Sequence, residues 1–231
     1  KVFPEPADSV VFKPVNDSIR RPDVSPIFDS LNNSKEQIRI LYYGDSQLEG
    51  DRITSRLRAL LQDSYGGSGP GLTLPVMPVE YTKSIWVRSS SNWVRYNYLS
   101  YRDSLLKEPA IGPMLAFCRY IPSGEKTDEP VDAWIKLSPS AEADSLASVY
   151  RYTRILYSLR GGSVKVKVYD DENLIFEGSL RVSGDITELK VNSGNSDKLL
   201  IEFEGSVSPD IYGISLEDST GVIVDNIPHR G

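Results

Sequence analysis

Apolar and polar positions near residue 40 change from the pattern of a strand to that of a helix. Residues 38–43 form a nearly continuous apolar run, which is typical of a strand buried on both faces of a parallel sheet. Gly44, Asp45 and Ser46 follow, and glycine permits a tight turn at that point. Beyond this turn the apolar residues recur at helical spacing and form one stripe: Ile53, Leu57, Leu60 and Leu61. The charged residues lie on the opposite side of the same helix: Arg52, Arg56, Arg58 and Asp63. The pattern predicts a strand, a turn that exposes Ser46, and a helix that packs on the sheet with its amino end towards the serine.

From residue 73 to residue 224 the pattern changes to period two. Strands are predicted at 93–101, 131–137, 150–159, 164–169, 174–176, 186–191, 199–203, 211–216 and 222–224, with turn residues such as Gly161-Gly162 between them. Many short strands without a convincing helix predict a mainly β protein, an antiparallel β-sandwich of the jelly-roll type. The turn Asp170-Asp171-Glu172-Asn173 could bind calcium loosely, but a plain hairpin turn is the favoured interpretation.

The first 36 residues are polar and repeatedly interrupted by proline, which argues against a long regular element. A short helix is predicted at 25–32, with Ser25 as its cap, Pro26 at the first helical position, and Ile27, Phe28 and Leu31 buried. The chain begins with Lys1 rather than methionine. We therefore expect that an amino-terminal segment has been removed.

Composition excludes several classes of function. The net charge of −6 and the pI near 5.0 argue against a nucleic-acid partner, because phosphate binding requires a basic face. No apolar run reaches the roughly 18 residues of a membrane span. The one cysteine, Cys118, forms no intrachain disulfide and is predicted to be a buried structural thiol. No His/Cys set has metal-ligand spacing and no glycine-rich phosphate loop follows a strand, so no metal or cofactor is predicted.

Ser46 is the candidate for chemistry. A hydroxyl at the carboxyl end of a buried strand, close to the amino end of a helix, suits a nucleophile, because free N–H groups there stabilise an oxyanion. The alternative is that Asp45 or Ser46 only caps the following helix. Asp45 is expected to brace the turn, and Glu49 to complement the amino end of the helix.

His229 is the only histidine and follows Asp225 by four residues. The order Ser46, Asp225, His229 superficially copies a serine-hydrolase triad. Nothing in the sequence makes these groups converge, so an exposed or interface histidine is the favoured interpretation.

The run Gly44-Asp45-Ser46-Gln47-Leu48-Glu49 resembles the first block of the SGNH hydrolases, also called GDSL-type esterases, with Gln47 in place of the less constant residue after the serine. Asp51-Arg52-Ile53-Thr54 and Gly66-Gly67-Ser68-Gly69-Pro70-Gly71 are similar to a secreted bacterial subgroup. In members related to peptidoglycan O-acetylesterases, a β-rich domain like a carbohydrate-binding module interrupts the flavodoxin-like catalytic domain shortly after this block. The resemblance therefore implies a sandwich inserted in a partial hydrolase unit.

The last eleven residues resemble the stretch that leads back into such a hydrolase domain. Gly231 would then lie at or near the second block, whose glycine N–H contributes to the oxyanion hole. The third block and the Asp-x-x-His block are absent, and Asp225 and His229 do not match that spacing. The resemblance thus divides the chain into an extension (1–36), the first strand and helix of the α/β domain (37–72), the sandwich (73–224) and a return segment (225–231).

The resemblance implies a secreted or cell-envelope serine esterase that acts on acylated, chiefly acetylated, polysaccharide or peptidoglycan. Its general base would lie in carboxyl-terminal hydrolase sequence missing here, so we expect the 231-residue chain alone to be inactive. The alternatives are a glycan-binding or interaction module and a structural surface protein. Aromatic residues that suit stacking on sugar rings occur throughout the sandwich: Trp86, Trp93, Tyr96, Tyr98, Tyr101, Trp134, Tyr150, Tyr152 and Tyr157. Most are expected in the core, and outward-facing ones would contact a glycan or the hydrolase domain.

Overall fold

Two helices and thirteen strands form in the part of the chain that the computed structural model describes, residues 23–33, 35–79, 81–97, 111–122, 127–194 and 196–229. The helices are α1 (Ser25–Asn33) and α2 (Arg52–Tyr65), and a short 3-10 helix spans Ser46–Leu48. The strands are β1 (Ile38–Gly44), β2 (Gly71–Thr73), β3 (Ile85–Ser89), β4 (Val94–Asn97), β5 (Ala116–Arg119), β6 (Val131–Pro139), β7 (Tyr152–Leu159), β8 (Val164–Asp170), β9 (Asn173–Ser179), β10 (Ser183–Asn192), β11 (Leu199–Gly205), β12 (Asp210–Glu217) and β13 (Val222–Pro228).

Two antiparallel sheets form the sandwich. The five-stranded sheet has the order β3-β6-β11-β8-β9, and the six-stranded sheet has the order β10-β7-β12-β5-β4, with β2 paired to β12. Alternating residues of both sheets, such as Ile135, Val166, Ile155 and Ile214, meet in one core and have no exposed surface. The chain passes repeatedly from one sheet to the other, so the predicted jelly-roll-type sandwich is confirmed.

β1 and β13 pair in parallel, in register from Ile38–Val222 to Gly44–Pro228. The prediction that 222–224 ends the sandwich is therefore wrong, because these residues lie in the strand that pairs with β1. Long-range pairing, which period-two alternation cannot reveal, decides this assignment. β2 crosses the predicted boundary at residue 72 and joins the six-stranded sheet, while β3 and β5 were not predicted.

The faces of β1 and both helices differ from prediction. On β1, Leu41 and Tyr43 are 40% and 47% exposed, so the strand is not buried on both faces. On α2, Ile53 and Leu60 are exposed, whereas Leu57, Leu61 and Tyr65 contact the apolar cluster around Val222 and Val224. On α1, Leu31 is buried but Ile27 and Phe28 are exposed.

The side of α2 that carries Arg58, which the pattern placed opposite the apolar stripe, is buried: Thr54, Ser55, Arg58 and Gln62 are at most 2% exposed. This face lies against the backbone of β13. Arg58 Nε donates to Val224 O over 2.9 Å, and Gln62 Nε2 donates to Val222 O over 3.2 Å. Polar side chains are buried here because backbone carbonyls provide their partners.

Candidate active site

Ser46 lies where the sequence predicts it, two residues beyond the end of β1, and its side chain is exposed. The turn is tight: Leu48 N–H donates to Asp45 O over 3.1 Å, and Glu49 N–H donates to Ser46 O over 3.1 Å. Asp45 Oδ1 accepts from Gln47 N–H over 2.9 Å, so Asp45 caps the 3-10 helix, and its predicted bracing role is confirmed. Buried Leu48 lies under Gly44, where an added Cβ would be only 2.7 Å from Leu48 Cδ1.

The backbone N–H of Ser46 donates to no described residue, although the two N–H groups that follow it are both hydrogen-bonded within the turn. An unused donor beside an exposed hydroxyl is suited to a developing negative charge. This is the arrangement that an oxyanion hole requires from the nucleophile's own amide.

Helix α2 does not begin directly after the serine. It starts at Arg52, and Asp51 precedes it in the left-handed conformation with φ 61°. The amino end of α2 is therefore six residues from Ser46, and the 3-10 helix lies between them. The 3-10 helix between the serine and α2 was not predicted.

Residues of β13 hold the Ser46 turn in place. Asn226 Nδ2 donates to Leu48 O over 3.0 Å, and Thr54 on α2 hydrogen-bonds Asn226 Oδ1. His229 N–H donates to Gly44 O over 2.8 Å. The carboxyl ends of β1 and β13 therefore meet beside Ser46, as parallel pairing requires. Gly231, the predicted second oxyanion donor, lies outside the described residues.

Asp225 and His229 do not form a triad with Ser46. Four residues of extended chain separate them by about 13 Å, and Asp225 is occupied elsewhere: Arg39 Nη1 is 2.7 Å from Asp225 Oδ2, and Leu72 N–H donates to Asp225 Oδ1 over 2.8 Å. No hydrogen bond joins the side chains of Ser46 and His229, both of which the structure describes. The backbone of His229 nevertheless contacts the serine turn through its hydrogen bond to Gly44 O.

A buried ion pair holds the loop that follows the Ser46 turn. Arg58 is 1% exposed, and its Nη1 is 2.9 Å from Asp51 Oδ2. The same guanidinium donates to Ser84 Oγ over 2.7 Å and to the carbonyl of Val224. It therefore joins the loop after Ser46, β13 and the start of β3. Sequence reasoning placed Arg58 on the solvated side of α2, since a charged residue in an amphipathic helix ordinarily faces water.

A second polar network joins β1 and β13 to the sandwich. Arg39 on β1 is ion-paired with Asp225 and with Glu217 on β12, and Arg154 Nη1 on β7 is 2.9 Å from Glu217 Oε1. Both carboxylates are at most 2% exposed. The sequence shows Arg39 and Asp225 as charged residues inside the otherwise apolar runs 38–43 and 222–227, but it does not identify their partners.

Glu217 makes stability depend on pH. Burial favours its neutral form, but Arg39 and hydrogen bonds from Ser215, Arg154 and Gln37 prevail and hold the pKa of Glu217 below its usual value. The folded state thus binds this proton less readily than the unfolded chain. The resulting stabilisation is complete above about pH 4.5, near the unfolded pKa, and is lost as pH falls through the lowered folded-state pKa.

We therefore expect Glu217→Gln to lower the free energy of unfolding at pH 7, with a smaller difference from the wild type at pH 3.5. Urea denaturation at both pH values measures this. Glu177→Gln is the control, because Glu177 forms only an exposed pair with Lys167 at 3.7 Å. A Glu217→Gln deficit that stays constant across this pH range would contradict the assignment.

Cys118 is completely buried, as predicted, and burial raises the pKa of its thiol to about 12. It therefore stays protonated and is not a nucleophile near pH 7. The 170–173 turn is the predicted hairpin between β8 and β9, with Asp171 in the left-handed conformation at φ 51°. Within the described ranges, no cluster of three His, Cys, Asp or Glu residues has the arrangement of a metal site, and no helix is long and apolar enough to cross a membrane.

Comparison with known proteins shows similarity at the level of the fold. No protein-family model matches the chain, and no curated protein matches it. A solved structure of a peptidoglycan O-acetylesterase is similar over 90% of this chain, with a TM-score of 0.53 and 17% identity. The carbohydrate-binding module TmCBM61, solved with β-1,4-galactotriose, aligns over 58% of this chain and 85% of its own length, with 10% identity and a TM-score of 0.33, too low to support an argument.

The chain spans about half, 51%, of the O-acetylesterase structure. Its fold is thus similar to part of an esterase.

Proposed function

We propose that this chain is the amino-terminal part of an SGNH-like serine esterase that removes acetyl or similar acyl groups from polysaccharide or peptidoglycan outside the cytoplasm. In this proposal, β1, the Ser46 turn, α2 and β13 belong to one hydrolase domain, and its remainder follows Gly231. The observation that carries the proposal is the exposed Ser46 hydroxyl at the carboxyl end of a parallel strand, beside its own N–H group, which donates to no described residue. The partial fold similarity to a peptidoglycan O-acetylesterase supports the substrate class.

The chemistry assigned to Ser46 is acyl transfer. A general base from the hydrolase sequence beyond Gly231 takes the proton of Ser46 Oγ, and Oγ attacks the ester carbonyl carbon. The N–H groups of Ser46 and Gly231 stabilise the oxyanion. The intermediate then collapses, the sugar oxygen leaves with the proton, and water hydrolyses the acyl-serine. No cofactor or metal takes part in these steps.

A fluorophosphonate probe tests the nucleophile directly. We expect one covalent adduct on the protein extended through its hydrolase sequence, and peptide mass spectrometry should locate the adduct at Ser46. Ser46→Ala should abolish labelling. Ser30→Ala, which changes an exposed serine on α1, should not. Labelling that persists in Ser46→Ala would refute the assignment of Ser46.

The 231-residue chain itself should show little or no esterase activity. Its only histidine, His229, forms no hydrogen bond with Ser46, and loss of a triad member typically reduces the rate by several powers of ten. Acetate release from 4-nitrophenyl acetate and from acetylated xylan measures this. Turnover by the 231-residue chain that disappears in Ser46→Ala would contradict the prediction.

A non-catalytic glycan-binding module is the second candidate, and the aromatic surface described below favours it. Glycan binding by the extended protein, with neither labelling of Ser46 nor release of acyl groups, would select this alternative.

A further inference from the structure

Two tryptophans lie on the outer face of the five-stranded sheet. Trp86 on β3 is 36% exposed and Trp134 on β6 is half-buried, whereas their neighbours Ile85 and Ile135 are buried in the core. Alternation along the strands therefore directs both indoles away from the sandwich core. Arg39 and Asp225 of the β1–β13 pair contact the six-stranded sheet instead. The packing of the sandwich core does not account for these outward-facing rings.

The position of Trp86 is defined by Tyr81. Their ring centroids are 5.9 Å apart at an interplanar angle of 72°, an edge-to-face contact, and Tyr81 is 61% exposed. Two adjacent cavities of about 980 and 480 Å³ share Trp86 and Arg88, and Trp134 lines the smaller one. Both volumes lie in the range of ligand sites.

Arg88 and Lys136 place two positive charges beside these rings, and Glu202, directly opposite Trp134 on β11, places a carboxylate there. Arg88 on β3 and Lys136 on β6 are directly opposite in the sheet register, and both are exposed. Neither forms an ion pair with a described residue, and Lys136 Nζ lies 5.1 Å from the centre of the Trp134 ring. Like charges opposite each other destabilise a sheet unless a ligand compensates them. The larger cavity is also lined by three carboxylates: Asp171 and Glu172 in the turn between β8 and β9, and Asp197 just before β11.

We propose that the surface formed by Tyr81, Trp86, Arg88, Trp134 and Lys136 binds a glycan that carries carboxylate groups. The apolar faces of its sugar rings stack on the exposed aromatic rings, and the guanidinium and ammonium groups bind its carboxylates. The inference deepens the proposed function, on which it rests for the substrate class, because it names the kind of glycan. Binding itself requires no ester hydrolysis.

The surface is tied to the Ser46 loop. Lys83 N–H donates to Gly50 O over 2.9 Å, and Ser84 Oγ hydrogen-bonds Asp51, so the segment that carries Tyr81 and Trp86 is fixed to the loop between Ser46 and α2. A glycan bound to the aromatic rings therefore has a fixed position relative to Ser46, the proposed nucleophile.

Isothermal titration of the 231-residue chain with soluble polygalacturonate tests the proposal, and the same polymer after carboxyl reduction is the neutral probe. We expect the neutral polymer to bind at least tenfold more weakly. Trp86→Ala and Tyr81→Ala should each weaken polygalacturonate binding about tenfold, since a stacked aromatic contributes about 1.4 kcal/mol. The double variant Arg88→Gln/Lys136→Gln should bind the charged and the neutral polymer with similar affinity. Its affinity for polygalacturonate should also depend much less on salt concentration.

Tyr152→Ala is the matched control, since Tyr152 lies on β7 of the other sheet, beside Lys190. It should bind like the wild type. Circular dichroism verifies the folding of each variant, and exposed Tyr81 provides a variant that leaves the core intact. The proposal is overturned by absence of polygalacturonate binding, by equal affinity for the neutral polymer, or by folded aromatic variants that bind normally. Failure of the Ser46 assignment leaves these measurements unchanged, so the two proposals fail separately.

Discussion

We expect replacement of Ser46 with alanine to lower the proposed ester hydrolysis by the extended protein at least about a thousandfold, with the loss in kcat rather than in KM. In the proposed mechanism, Oγ forms the covalent bond to the acyl group and contributes little to binding of the ground state. The side chain is exposed and forms no hydrogen bond with a described residue, so stability should stay within about 0.5 kcal/mol of the wild type. Steady-state kinetics with an acetylated glycan, together with a urea denaturation curve, measure both quantities.

Ser219→Ala is the control for this experiment. Ser219 lies in the exposed turn before β13, where its N–H donates to the neighbouring carboxylate of Asp218 over 2.6 Å. The control should hydrolyse the substrate at the wild-type rate. Retention of more than a tenth of kcat by Ser46→Ala would exclude the serine mechanism, whereas equal loss in both variants would indicate an effect on folding.

The largest stability effect is expected at Arg58. Arg58→Met leaves the buried carboxylate of Asp51 without its ion pair, and removal of one partner from a buried pair destabilises a protein by about 3–5 kcal/mol. The variant should also loosen the loop between Ser46 and α2, because the guanidinium joins that loop to Val224 and Ser84. Urea denaturation gives the free energy of unfolding.

Asp51→Asn and the double variant complete the thermodynamic cycle. The double variant should lose less stability than the sum of the two single changes, since it leaves no unpaired buried charge. Arg56→Met is the control on the same helix, because Arg56 is exposed, and its effect should remain within about 0.5 kcal/mol. Additive effects at Asp51 and Arg58 would show that the pair does not act as a unit.

Local chemistry in the sequence was sufficient to predict the serine turn. Gly44 lets Leu48 pack closely against it, since an added Cβ would lie 2.7 Å from Leu48 Cδ1, and Asp45 caps the 3-10 helix through its own carboxylate. Both effects involve residues within four positions of each other, so they can be inferred without knowledge of the fold. The same holds for the 170–173 hairpin.

The faces of α2 could not be predicted in this way. Periodicity assigned Ile53 and Leu60 to the buried side and Arg58 to water, yet burial of Arg58 depends on Asp51, Ser84 and the carbonyl of Val224, which is 166 residues away. A hydrophobic stripe shows which residues favour burial, but which side is covered depends on what packs there.

The sequence by itself determined a mainly β chain with alternating strands, a strand and turn that present Ser46, and an acidic composition. These follow from short-range periodicity, glycine conformations and charge. Only the tertiary structure decided that residues 222–228 pair with β1, that Arg39 pairs with the distant carboxylates of Glu217 and Asp225, that Arg58 is buried against the carbonyl of Val224, and that Tyr81, Trp86 and Trp134 lie on one outer surface. The physical reason is that strand pairing and burial of charge depend on contacts between residues far apart in the chain, and no local pattern encodes such contacts.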